Sequence, residues 1–243
     1  MKLLQTAIII LAATGLTMAQ KPNLEVPKSI LAELHTITIP LPQTTDSISL
    51  RVAYPAAYSP SETYPVLLGL SGGNQSLEIV NYCYAAWFRT SQFKRYLTIL
   101  PVAPEGANIR DYSMAEIQAL MDAIKAQFNT TPNGWTVAGT SNGGVATFNF
   151  LAADPGLFDG AVVIPGTMAE TVEITNSWRH LSILLACGTE DAQDWIDATK
   201  ATETALKGKV RHVQSIMLKG QGHILPIDFD LDVVYSVYKL TLK

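Results

Sequence analysis

The sequence predicts an α/β fold with a mainly parallel central sheet of about eight strands and helices on both faces. Three observations carry that expectation. Two early segments alternate apolar and polar or β-branched residues, as half-buried strands do. Later apolar runs are short and continuous, the mark of strands buried on both faces. Between those runs lie stretches whose apolar residues recur at spacings of three and four, the helical period. Two leading strands followed by repeated strand–helix alternation give a mainly parallel sheet.

The chain of 243 residues opens on a pattern of its own. Lys2 supplies a positive charge, residues 3–12 read LLQTAIIILA, and Thr17-Met18-Ala19 offers the small residues of a cleavage site. The expectation is a signal peptide over 1–19 and one domain over 20–243, secreted or periplasmic. The apolar run is shorter than the ~20 residues of a spanning helix, which favours a cleaved signal over an uncleaved membrane anchor. Nothing after residue 20 approaches that length, so no stable membrane insertion is expected after signal cleavage. No Cys follows the cleavage site, against a lipoprotein. The net charge is −4 with basic residues scattered, which leaves no footprint for nucleic acid. Cys83 and Cys187 are the only cysteines. They would be free to pair in an oxidising compartment, but the expected fold puts them in different layers.

The elements follow in order. Strands are expected at 35–40 and 47–54, and a Pro-rich stretch over 55–65 breaks the chain before strands at 64–70 and 97–103. Residues 114–128 place Ile117, Leu120, Met121, Ile124 and Phe128 on one stripe, with Ser113 as N-cap and Glu116 three residues on. A strand at 135–138 leads into a helix beginning at Gly143 and ending near Asp154-Pro155-Gly156. Strands at 161–164 and 181–186, a helix over 193–206, a strand at 213–218 and a closing helix from about 226 complete the chain.

Gly139-Thr140-Ser141-Asn142-Gly143 fits G-x-S-x-G. The pattern gains meaning from its place, since it follows a strand and opens a helix, the junction at which a strained turn lifts a serine above a sheet. A serine hydroxyl needs a base. Of the four histidines, His35 and His180 lie at or just before strands and His212 lies in or beside the last strand. His223 sits in the Gly-containing loop Lys219-Gly-Gln-Gly-His, beyond a strand's carboxyl end, where loops of a parallel sheet converge. The acid that orients the imidazole is read as Asp191, after the turn Gly188-Thr189-Glu190, with Glu190 and Asp194 as competitors. Oxyanion donors are expected from the N–H groups of Gly73, in Ser71-Gly72-Gly73-Asn74-Gln75, and of Asn142. Asn74, Gln75 and the aromatic segment 82–88 either border a pocket or, for the aromatics, fill the core.

These stretches together resemble the α/β-hydrolase superfamily, and within it small esterases related to polyester depolymerases, feruloyl esterases and phospholipase/carboxylesterase enzymes. The likeness covers about 35–243 and rests on GTSNGG, CGTED and GQGH. It implies a serine carboxylesterase with Ser141 as nucleophile, Asp191 as acid, His223 as base and Gly73 and Asn142 as oxyanion donors, with no cofactor and no metal. Many relatives carry His-Gly where this chain has Ser71-Gly72. The short stretch between about 164 and 181 implies no cap domain and a fairly open site. The expected partner is an ester substrate, carbohydrate-linked or polymeric. Two rival readings are a peptidase of the same fold and a binding protein that keeps the fold without turnover.

Overall fold

The computed structural model describes residues 24–42 and 46–242. The signal peptide expected over 1–19 lies outside these residues. Eight strands form one sheet: β1 (Leu34–Pro40), β2 (Ser47–Ala53), β3 (Val66–Leu70), β4 (Leu97–Val102), β5 (Trp135–Gly139), β6 (Phe158–Val163), β7 (Ser182–Gly188) and β8 (His212–Leu218). Their spatial order is β1-β2-β4-β3-β5-β6-β7-β8. The pairings of β1 with β2 and of β2 with β4 are antiparallel; all the others are parallel.

The inner strands are largely apolar because both faces are covered. In β3, Val66, Leu68 and Leu70 point to one layer and Leu67 to the other; in β7, Ile183 and Leu185 oppose Leu184 and Ala186. One layer holds α3 (Met114–Gln127), α4 (Asn142–Ala153) and α5 (Gln193–Leu206), contributing Ile117, Leu120, Phe148 and Leu206. The other holds α2 (Leu77–Cys83), continued by a π-helical turn at Tyr84–Phe88, and α6 (Asp232–Thr241), contributing Val80, Tyr235 and Tyr238. A single helical turn, α1 (Lys28–Leu31), precedes β1.

The capping box expected at α3 is present, with the Ser113 hydroxyl accepting from the Glu116 N–H and the Glu116 carboxylate accepting from the Ser113 N–H. The closing helix differs from expectation, starting at Asp232 instead of near 226. Turns closed by Phe229 N–H on the Pro226 carbonyl and by Asp232 N–H on the Asp230 carboxylate occupy the intervening residues. Short acidic side chains that bond the local backbone compete with helix there. Between β6 and β7 the chain makes only one 3₁₀ turn, Asn176–His180, so no cap domain is inserted. Among the described residues no helix is long and apolar enough to cross a membrane.

Candidate active site

The turn after β5 holds Ser141 at φ 54° and ψ −120°, a conformation that costs a non-glycine residue about 1–3 kcal/mol. Three hydrogen bonds fix it: Ser141 N–H to the Pro165 carbonyl at 2.7 Å, Thr140 N–H to Leu70 at 3.1 Å and Gly143 N–H to Thr140 at 2.9 Å. A Cβ on Gly143 would overlap the Leu70 carbonyl, so the helix start can press against the end of β3 only with glycine there. The sequence thus dictates the turn by leaving out side chains at the crossing point.

Ser141, Asp191 and His223 each stand just past the carboxyl end of a parallel strand, after β5, β7 and β8 respectively. The structure brings them together. Ser141 Oγ lies 3.1 Å from His223 Nε2, and His223 Nδ1 lies 3.1 and 3.0 Å from the two Asp191 oxygens. A carboxylate only accepts, so Nδ1 carries the proton and Nε2 is left to accept from the serine hydroxyl. The Asp191 side chain is 1% exposed and that of His223 is 34% exposed, so a shielded acid backs a base that solvent reaches. Asp191 also accepts the Ala192 N–H at 2.7 Å and the Cys187 thiol at 3.6 Å. Of the three carboxylates weighed from sequence, it is Asp191 that meets the imidazole.

No protein-family model matches the chain, and no curated protein matches it. Solved structures do match. A thermostable esterase superposes with a TM-score of 0.61 at 17% identity over 87% of this chain, which spans 61% of that protein's length. S-formylglutathione hydrolase FrmB from Staphylococcus aureus gives 0.62 at 14% identity, covering 86% of this chain and 98% of the other. Est1E from Butyrivibrio proteoclasticus gives 0.62 at 12% identity, covering 85% and 97%. The chain has the α/β-hydrolase fold.

In this fold the loop after β3 lies beside the Ser141 turn. The Gly73 carbonyl accepts from the side-chain amides of Asn142 at 2.9 Å and Asn108 at 3.2 Å, and Arg110 holds the Asn142 oxygen at 3.1 Å. Among the described residues, no acceptor takes the N–H of Gly73 or of Asn142. Gln75 does not border the pocket as expected. It is fully buried, donating to the Ser71 carbonyl at 3.0 Å and accepting from Ile109 N–H at 2.6 Å. Asn74 is exposed and does not line the pocket either, its side chain accepting from Ser76 N–H in a local turn. Gln75 therefore braces the loop that follows β3.

A pocket of about 240 Å³ opens at Ser141 and His223, walled by Leu24, Ile79, Tyr82, Cys83, Trp87 and Ile224. The aromatic segment thus splits its roles: Tyr82 and Trp87 face the pocket, while Tyr84 and Phe88 pack in the core and against a separate cavity beside the Glu33–Arg89 pair. Two neighbours of the site escaped sequence reasoning. The Trp195 ring lies 5.0 Å from the His223 ring, tilted by 42°, and covers it. Its only signal was a position four residues after Asp191, on the first turn of α5. The Cys187 thiol, 0% exposed, is the other.

The remaining histidines are elsewhere. His180 Nε2 lies 3.0 Å from the Pro155 carbonyl, His35 meets the edge of Tyr54, and His212 starts β8 at the end of the sheet away from the site. Cys83 and Cys187 are free and buried, one on α2 and one on β7. Among the described residues no group of three His, Cys, Asp or Glu side chains is arranged to hold a metal.

Proposed function

We propose that this protein is a serine carboxylesterase that hydrolyses esters through an acyl-enzyme on Ser141. The observation that carries the reading is the hydrogen-bonded chain from Ser141 Oγ through His223 to Asp191 on a strained turn. Proteins of the same fold that carry the name esterase, among them the thermostable esterase and a ferulic acid esterase, support the choice of ester over other acyl compounds.

His223 Nε2 takes the Ser141 proton as Oγ attacks the ester carbonyl, and then delivers it to the leaving alcohol. Asp191 holds the imidazole in the tautomer that can do this and offsets the charge of the imidazolium. The developing oxyanion is received by the N–H groups of Gly73 and Asn142, the latter at the start of α4, where the helix dipole favours negative charge. Water then repeats the cycle on the acyl-enzyme. We propose further that residues 1–19 act as a cleaved export signal and that the mature protein works outside the cytoplasm; N-terminal sequencing of the mature protein is expected to begin at Gln20.

The test is hydrolysis of 4-nitrophenyl acetate and butyrate beside Ser141→Ala and His223→Ala. The expected result is turnover by the wild type that falls about a thousandfold or more in both variants. Equal rates in all three proteins overturn the reading.

A further inference from the structure

The pocket at Ser141 offers a substrate almost nothing polar beyond the reacting groups. Its large walls are Leu24, Ile79, Tyr82, Trp87 and Ile224. Tyr82 is the wall residue with a hydroxyl at its tip, and that hydroxyl is already donated to the Leu225 carbonyl at 3.0 Å, leaving only the ring to the pocket. Among the described residues no Lys or Arg lines it.

Leu24 is also a wall of a second, open groove of about 440 Å³, formed with Val26, Leu31 and Leu77 and edged by Glu78 and Asn81. The two spaces share the Leu24 side chain and both run along α2, with Leu77, Glu78 and Asn81 on the groove and Ile79, Tyr82 and Cys83 on the pocket, so apolar walls adjoin from the reacting serine outward. Large exposed apolar side chains mark this course. Leu77 is 48% exposed at the outer groove and Ile224 is 44% exposed at the inner pocket. Apolar surface left in water next to a reaction centre gains free energy when an apolar group covers it. A sugar, by contrast, would lose hydrogen bonds to water there and find no partners in return.

Resting on the esterase reading above, we propose that the substrate is an ester bearing an extended apolar chain, which lies in the pocket and continues past Leu24 into the groove at Leu77. A chain on the acyl side and a chain on the alcohol side share this chemistry, and two substrate series separate them.

The experiment measures kcat/KM for 4-nitrophenyl esters from acetate to dodecanoate, and for ethyl, butyl and octyl acetate, each below its solubility limit. Burial of a methylene is worth up to about fourfold, so the six added in octanoate give an advantage over acetate of about a hundredfold even where the chain stays half open. A rise in the first series assigns the path to the acyl chain; a rise in the second assigns it to the alcohol. Leu77→Asp and Ile224→Ser, both at exposed positions, contract the long-to-short ratio about tenfold. A flat profile in both series with acetate turned over, or a ratio unmoved by both variants, overturns the apolar path and leaves the esterase standing. No turnover of any ester overturns the esterase reading itself, and the path with it.

Discussion

The side-chain amide of Asn142 donates to the Gly73 carbonyl at 2.9 Å, tying the turn that bears Ser141 to the loop after β3. Asn108 and Arg110 complete the clamp from a third segment. The two N–H groups proposed to receive the oxyanion are thus held in register by a side chain of one of the two residues. Asn142→Ala removes that tie without removing either N–H. It is expected to lower kcat about tenfold, the equivalent of one misaligned hydrogen bond, while the melting temperature moves by only a few degrees. Stopped-flow or steady-state rates with 4-nitrophenyl acetate check it.

Gly188 closes β7 where the loop carrying His223 crosses it, and a Cβ there would overlap the Gln221 carbonyl oxygen. Gly188→Ala forces that loop away from the acid turn. The expected cost is about 1–3 kcal/mol of stability in denaturant unfolding, with turnover reduced more than tenfold because His223 moves with the loop. Unchanged stability and unchanged rate together would contradict the crossing.

Both thiols are expected to be silent in the native protein. Burial pushes the Cys83 thiol up to about 11. Burial, reinforced by the Asp191 carboxylate, does the same for Cys187, also to about 11. At pH 8 neither supplies thiolate, the reactive form. A disulfide-exchange reagent is expected to count no fast thiols in the native protein and two after denaturation. A count of none in both states would show the pair bonded.

Acid stability provides a separate check on the N-terminal region. The Arg89 guanidinium on Glu33, at 2.8 Å, holds its carboxyl below the usual carboxylate range; burial opposes this, and the Tyr84 hydroxyl adds to the lowering. A carboxyl depressed on folding stabilises the native state above its unfolded pKa, near 4.5, and ceases to do so as pH falls through the lower folded value. The melting-temperature gap between wild type and Glu33→Gln is expected to be constant from pH 7 to about 5. It narrows below about pH 4.5 and shrinks throughout in high salt, since both side chains are well exposed.

Much of this was legible in the residues. The period-two runs, the helical stripe at 117–128 and the capping box at Ser113 mark their elements because local spacing and capping chemistry decide them. Ser141, Asp191 and His223 could be read because each follows a strand of the parallel sheet, and topology then brings strand ends together. Contacts between distant segments were not legible. Gln75 bracing Ile109 and Trp195 covering His223 depend on how far each loop reaches, which no spacing in the chain encodes. The start of α6 differs because the segment from 226 has apolar residues at helical spacing, while the Asp230 carboxylate accepts from Asp232 N–H and favours a turn.

The most direct measurement of the central claim is covalent labelling of the intact protein by a fluorophosphonate, followed by peptide mass spectrometry. The account predicts one rapid adduct, on the peptide containing Ser141, that is absent in Ser141→Ala and formed at least about a hundredfold more slowly in His223→Ala, since the hydroxyl is a poor nucleophile without its base. An adduct on another residue, or labelling of Ser141 at the same rate without His223, would contradict it.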